Sequence, residues 1–350
     1  MHNVAILGSG IYLPQREISN ENLERSLGLE PGSIEAKTGI RTRRWATTNE
    51  TVEYMAAQAA LEACQDANIT QIKHIMMVRD VILTRRAYSI ALPVIDKLAA
   101  AGIEVQDAFS IDICNYCPGM IHGINMASLM VSQGQAENVL VIASTNYVDM
   151  IELDPEFNQN FGESFVRNDG VQQFSVESDR FQAPRLNAFL WGSGAGALVV
   201  GRSSCQGILG YLGMGSQQFR REAYGIGESA RGSGFAALDG KAIYRFAVTE
   251  VAEFLKRFCG QCGLPLSEVD FLIPHQPNPR ILRELTQRLN MPAEKVLISC
   301  DYLGNMIGAS VPVTYHLARG NGTISKGHKV ILCSFGDSYL VAAALLIEEQ

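Results

Sequence analysis

The chain has 350 residues, 47% of them hydrophobic and 19% charged, with a formal net charge of −7. That is enough apolar chain for two core units, since single cores stop growing at about 250–300 residues. The acidic balance speaks against a nucleic-acid-binding surface, which needs a clustered basic face. No apolar run approaches the roughly 20 residues of a bilayer span, and the start, Met1–Gly10, lacks the basic and apolar regions of a signal peptide. A cytoplasmic protein without membrane or nucleic-acid partners is the expectation.

Asn3–Gly8 reads as a buried strand that runs into Gly-Ser-Gly-Ile-Tyr-Leu-Pro. This is no dinucleotide fingerprint, because the third glycine is missing and Pro14 blocks a following helix. Ser19 or Asn20 is placed to cap a helix. Residues 31–45 read as a loop bearing Lys37, Arg41, Arg43 and Arg44, a local positive patch that holds a phosphate or is simply a solvated edge. Thr51–Ala67 has helical periodicity and leads to a strand, His74–Val78. Apolar strands follow at Val139–Ser144 and Ala195–Val200, with Asp149–Pro184 between them as a long excursion of little periodicity. Lys241–Phe258 and Val269–Ile273 repeat the helix–turn–strand order, and Val330–Cys333 and Leu340–Ile347 are further apolar strands. The repeated order predicts a duplicated α/β architecture, with sheets covered by helices on both faces.

Ser110–Met130 stands at the centre of the chain. Its alternating start leads to Cys117, then Pro-Gly, then an almost uncharged run expected to be a helix buried on all sides. A proline suits the first position of a helix. Cys117 is therefore expected on a sharp strand-to-helix turn, where unpaired N–H groups and the helix dipole favour a thiolate. A buried structural cysteine is the alternative. Two CxxC pairs, Cys114/Cys117 and Cys259/Cys262, also raise a zinc site or a redox pair. Their separation does not suit a zinc ribbon, and the chain is too long and too duplicated for a thioredoxin module.

Three further stretches gather chemistry. In Phe271–Ile281 a buried strand delivers His275 to its carboxyl end, in Leu303–Pro312 a Gly-Asn turn precedes small residues, and Cys333–Ser338 forms a glycine turn between apolar strands. Ligand sites of α/β sheets collect at such strand ends. Remaining histidines are poorer candidates: His2 and His328 look exposed, and His74, His122 and His316 belong to a strand start and two helices.

DICNYCPG resembles the nucleophile segment of thiolase-like condensing enzymes, PHQPNPRI their His-Gln-x-Asn-x-Arg motif, and GNMIGASVP their Gly-Asn motif. SFGDS resembles their closing glycine turn, and EAKTGIRTRR and LDGKAIYRFAV are similar to segments of β-ketoacyl-acyl-carrier-protein synthase III. The resemblance implies an α/β fold, a thiolase-like five-layer αβαβα sandwich of two duplicated halves with mixed sheets. The first half, residues 1–184, carries the nucleophile, and the second, residues 185–350, carries the His and Asn. It implies that Cys117 accepts an acyl group, that His275 and Asn305 stabilise the enolate of a decarboxylating malonyl thioester, and that the amides of Cys117 and Gly336 form an oxyanion hole. It implies no bound cofactor and no metal. It further implies that coenzyme A or the phosphopantetheine of an acyl carrier protein presents the thioesters, and that the chain forms a homodimer.

Departures from the family pattern narrow the expectation. Ser33 and Lys37 stand where a Trp and an Arg clamp the adenine of coenzyme A. Ala87-Tyr88-Ser89 aligns with the segment that crosses into the partner's acyl pocket, and the small Ala87 leaves room for chains longer than acetyl. Cys114, Asn115 and Tyr116 replace small residues, with Cys114 read as a core residue, and Ser193 replaces an acid. Arg280, Arg283 and Arg288 offer a docking face for an acidic carrier protein, or a solvated helix face. The expected activity is a specialised decarboxylative Claisen condensation. An acyltransferase on the same fold, moving the acyl group from Cys117 to an alcohol or amine with His275 as base, is the alternative.

Overall fold

The computed structural model describes residues 2–79, 89–105, 107–146, 189–205, 207–215, 224–225, 237–238, 240–336 and 339–349. The strands are β1 (Val4–Tyr12), β2 (Glu17–Ser19), β3 (Thr42–Arg44), β4 (His74–Arg79), β5 (Phe109–Cys114), β6 (Asn138–Thr145), β7 (Gly194–Arg202), β8 (Ile208–Gly215), β9 (Tyr224–Gly225), β10 (Ala237–Leu238), β11 (Phe271–Pro274), β12 (Lys329–Gly336) and β13 (Leu340–Ile347). The helices are α1 (Asn20–Leu27), α2 (Ser33–Thr38), α3 (Val52–Asp66), α4 (Ala91–Ala100) and α5 (Gly119–Ser132) in the first part of the chain. Next come α6 (Gly240–Arg245), continuous through a π-helical turn with α7 (Val251–Gln261), then α8 (Pro279–Leu289), α9 (Cys300–Leu303) and α10 (Ser310–Gly320).

One sheet has the order β1-β7-β6-β4-β5 and the other the order β8-β13-β12-β11. Read from β1, the first three pairings are antiparallel, antiparallel and parallel. Read from β8, the second sheet repeats that sequence. The duplication expected from the pattern is present in the topology: β5 adds a parallel edge beside β4, and Val296 makes a parallel bridge to Leu272 at the corresponding edge of β11.

Alternation along the strands builds the layers. Val139, Val141 and Ala143 of β6 face a central core with Met120, Ile121 and Ile124 of α5 and Val311, Val313 and Tyr315 of α10. Leu140 and Ile142 face the opposite way, onto α3 and α4. In the second sheet, Val330 and Leu332 join the central core, while Ile331 and Cys333 pack against α7 and α8. Helices therefore lie between and outside two sheets, the five-layer αβαβα order. β7 completes the first sheet from beyond residue 184; the boundary at 184/185 and the excursion Asp149–Pro184 lie outside the described residues.

Several local expectations are corrected. Residues 31–45 are not a loop throughout but contain α2 and β3. Gly32 and Gly39, both at φ +79°, bracket α2, whose Ile34 and Thr38 bury one turn apart. Nor do the four cations form one patch. Arg43 is fully buried, Arg44 pairs with Glu17 at 3.4 Å, and Arg41 pairs with Asp301 at 2.7 Å. α5 is not buried on all sides, since Met126 and Leu129 are 36% and 55% exposed. Among the described residues no helix is long and apolar enough to cross a membrane.

Candidate active site

Cys117 lies in the turn between β5 and α5, as its sequence context predicts. Gly119 and Gly123 let the helix approach the sheet, for a Cβ at either would meet Val78 or Val141. The resulting turn is tight enough to hold Tyr116 at φ +43°, where its carbonyl accepts from the Gly119 N–H at 3.1 Å. Left-handed backbone at a bulky residue costs about 1–3 kcal/mol and persists only where packing determines it. Cys114, by contrast, is exposed at the end of the edge strand, so its reading as a core residue is overturned. Alternation along a strand does not reveal that the strand lies at a sheet edge.

The end of β12 closes over the cysteine. Ser334 Oγ donates to the Cys117 carbonyl. A Cβ placed on Gly336 would lie 3.1 Å from the Cys117 Sγ. Gly336→Ala should therefore slow acylation of Cys117 by at least about tenfold through crowding alone, with little change in melting temperature. Acylation followed by intact mass checks this, and an unchanged rate counts against the close packing.

His275 extends the parallel pairing of β11 with β12, its N–H donating to the Cys333 carbonyl at 2.7 Å. The ring stands edge-on to Phe335 at 5.7 Å, and its buried Nδ1 has no hydrogen-bond partner among the described residues. Burial pushes the imidazole pKa down to about 3, so the ring is neutral at physiological pH. The unfolded value is about 6.5, so between the two values the unfolded chain carries a proton that the folded chain lacks. Stability contributed by the neutral ring is complete above pH 6.5 and falls as pH drops toward 3. Between pH 7 and 5, denaturant melts of His275→Gln should lose about 2 kcal/mol less than those of the wild type. Equal losses would contradict the buried neutral ring.

The rest of the histidine segment is structural. Gln276 donates to the Pro274 and Leu297 carbonyls at 2.7 and 3.1 Å. It accepts from the Ser299 and Cys300 N–H groups at 2.9 and 3.3 Å. That buried amide ties the end of β11 to the start of α9. Asn278 caps α8 by accepting from the Ile281 N–H at 3.0 Å, and Pro279 fills the first turn.

Asn305 follows α9, after Gly304 at φ +72°. Its backbone is held on both sides, the N–H donating to the Leu190 carbonyl at 2.6 Å and the carbonyl accepting from the Gly192 N–H at 2.9 Å. Its Oδ1 accepts from the Ile307 N–H at 2.8 Å. The carboxamide oxygen is thereby engaged, and the NH2 group is left as the donor. One residue beyond Ile307, a Cβ on Gly308 would lie 3.3 Å from the Tyr116 carbonyl, in the cysteine's own turn. The thiol and the imidazole thus both pack against the end of β12, and the segment that follows Asn305 reaches the cysteine's turn through Gly308.

The remaining expected site residues lie elsewhere. Lys37 is exposed in α2, and Arg280 donates to its carbonyl at 3.1 Å. Arg288 is exposed in the last turn of α8. Ala87 lies outside the described residues, although Ser89 two positions on donates to Asp112 of β5 at 2.6 Å. Of the other histidines, His122 is half-buried and shares a 2.6 Å hydrogen bond with Tyr211. Among the described residues no group of three or more His, Cys, Asp or Glu is placed to hold a metal ion. The sequence did not single out Trp45 or the burial of Arg43, which Overall packing alone decides.

Comparison with known proteins gives a consistent result. Residues 111–165 match the family model for 3-oxoacyl-[acyl-carrier-protein (ACP)] synthase III, and residues 259–347 match the model for its C-terminal part. The β-ketoacyl-[acyl-carrier-protein] synthase III of Sodalis glossinidius is 31% identical, over 97% of this chain and 98% of the relative. That of Clostridioides difficile is 30% identical, over 97% of each. The crystal structure of 3-oxoacyl-[acyl-carrier-protein] synthase III from Aquifex aeolicus superposes with a TM-score of 0.78 at 28% identity, over 99% of this chain and 100% of that one.

Proposed function

The chain belongs to the β-ketoacyl-[acyl-carrier-protein] synthase III family, and from that membership we propose that it condenses an acyl thioester with a malonyl thioester. In the first step the Cys117 thiolate attacks the acyl thioester carbonyl, a new C–S bond forms, and the carrier leaves as its thiol with the proton that Cys117 gave up. In the second, the bond between the malonyl carboxylate and the methylene carbon breaks and CO2 departs. The electron pair moves into an enolate, whose oxygen accepts hydrogen bonds from His275 and Asn305. Its carbon then attacks the Cys117 acyl carbonyl and releases the thiolate. The product is a 3-oxoacyl thioester two carbons longer than the primer. The amides of Cys117 and Gly336 are the donors we assign to the oxyanion of the acyl-transfer steps.

The observation that carries this reading is the burial of His275 just past the carboxyl end of β11. Stabilising an enolate needs a hydrogen-bond donor, and a neutral ring still supplies one through its remaining N–H. Moving an acyl group to an alcohol or amine needs a base with a pKa near the working pH. A ring with a pKa of about 3 is a poor base at neutral pH. Burial therefore favours condensation over the acyltransferase alternative.

Substrate preference follows from the departures at the primer site. Ser33 and Lys37 offer no aromatic face for adenine, so we assign acyl carrier protein rather than coenzyme A as the preferred donor. Exposed Lys37, Arg280, Arg283 and Arg288 give an acidic carrier its counter-charges. From the alignment of the small Ala87 with the segment that enters the partner's acyl pocket, we assign primers longer than acetyl. A homodimer through the β5 edge fits the exposure of Phe109, which is 53% exposed on that strand. The chain is assigned to the cytoplasm. Loading the enzyme with acyl carrier thioesters of increasing length, then offering malonyl carrier protein or an alcohol or amine, tests the reading. Discharge by the malonyl thioester is expected; discharge only by the alcohol or amine would overturn it.

A further inference from the structure

Residues 41–45 take no part in the chemistry above, yet their polar groups hold the backbone on both sides of Asn305. On the near side, the Arg41 N–H donates to the Asp301 carbonyl at 2.7 Å, and Thr42 Oγ1 donates to the Tyr302 carbonyl at 2.8 Å. Both acceptors belong to α9, which ends two residues before Asn305. On the far side, Arg43 Nη2 donates to the Phe189 carbonyl at 2.6 Å, and Trp45 Nε1 donates to the Trp191 carbonyl at 3.1 Å. The carbonyl between them, that of Leu190, receives the Asn305 N–H at 2.6 Å. Three consecutive carbonyls are thus fixed by Arg43, Asn305 and Trp45.

Arg43 is the centre of this arrangement. Its side chain is fully buried, and it also donates to Asn20 Oδ1 at 2.8 Å and the Ile18 carbonyl at 3.3 Å. A Cβ on Gly304 would lie 2.9 Å from the Arg43 Cβ, so the arginine stem lies directly against the residue before Asn305. A buried guanidinium carries a large desolvation cost, and an apolar side chain of similar volume often serves stability as well or better. Its fork of donors, spread over separate backbone segments, does what an apolar side chain cannot: it sets where carbonyls point.

We propose that Arg43, supported by Trp45, is a positioning residue for Asn305. It fixes the 189–192 backbone on which Asn305 hangs, and so fixes the direction of the carboxamide NH2. The inference rests on the reading that Asn305 donates to the enolate.

The test uses Trp45→Phe, which keeps the ring and removes one donor, with Arg43→Met and Arg43→Lys. Acylation of Cys117 and malonyl decarboxylation by the loaded enzyme are timed separately, and hydrogen exchange is followed in the peptide 303–309. Trp45→Phe should acylate within about twofold of wild type and decarboxylate about three- to tenfold more slowly, since small misplacements at a reacting centre are costly. Arg43→Met should lose about 30-fold or more in decarboxylation, with part of it restored by lysine. Exchange at Asn305 and Ile307 should quicken in each. Equal loss of both steps, or neither, in Trp45→Phe overturns the proposal, and that variant decides the matter if Arg43→Met does not fold. Should the wild type fail to decarboxylate malonyl thioester, the enolate reading falls. Exchange then judges positioning alone, and unchanged exchange at 303–309 in Trp45→Phe overturns it.

Discussion

Cys117→Ala is expected to gain no mass from an acyl thioester under conditions in which the wild type gains one acyl group per chain. The buried thiols are poorly placed to substitute. Burial pushes the Cys64 thiol up to about 12 and the Cys259 thiol up to about 11, and Cys300 and Cys333 are raised as well. A thiol that stays protonated is a poor nucleophile. Cys114 and Cys205 are the exposed cysteines, so Cys114→Ser is the informative control and should keep the adduct. The enolate donors we propose, His275 and Asn305, are carried by the second half of the chain, so Cys117→Ala should still decarboxylate malonyl thioester slowly. A persistent adduct on the alanine variant would place the nucleophile elsewhere.

Asn305→Asp is expected to divide the two steps most sharply. The aspartate keeps an oxygen to accept from the Ile307 N–H, where the backbone sits at φ +50° and needs that support. What changes is the other end of the group: an NH2 donor becomes an acceptor carrying negative charge, facing a developing enolate. Loss of one such donor typically costs about 10²–10³ in rate, and the added charge pushes the effect to the upper end. Acylation of Cys117 should stay within about threefold of wild type, because the carboxamide is assigned to the second step alone. Measuring adduct formation and malonyl discharge in the same sample separates the outcomes. Equal loss of both would remove the role assigned to Asn305.

How far the sequence carries depends on whether a feature is local. Ser19 capping α1, the helical run that forms α3 and the strand that delivers His275 are local signals, and each lies where its residues predicted. The duplicated order of elements was also legible, because buried strands and amphipathic helices write their periods into the chain. Cys117 was legible as a turn residue, whereas its neighbours were misjudged. Cys114 shares its face of β5 with Ser110 and Asp112, opposite Ile111 and Ile113, and only the order of strands in the sheet reveals that β5 is an edge. Arg43 reads like its neighbours Arg41 and Arg44, and only tertiary packing separates a buried fork from a solvated charge. Likewise, α5 is apolar enough to be buried all round, but its composition does not reveal that Met126 and Leu129 stay exposed. The six residues of α2 were too few to establish a period.

One stoichiometry tests condensation at Cys117 most directly. Enzyme acylated at Cys117 is mixed with carboxyl-labelled malonyl carrier protein in a single turnover, and released CO2 is counted against acyl groups lost from the cysteine. One CO2 per acyl group discharged, with a 3-oxoacyl product two carbons longer, is the predicted result. Discharge of the acyl group without CO2, or CO2 release while the acyl group stays on Cys117, would contradict it.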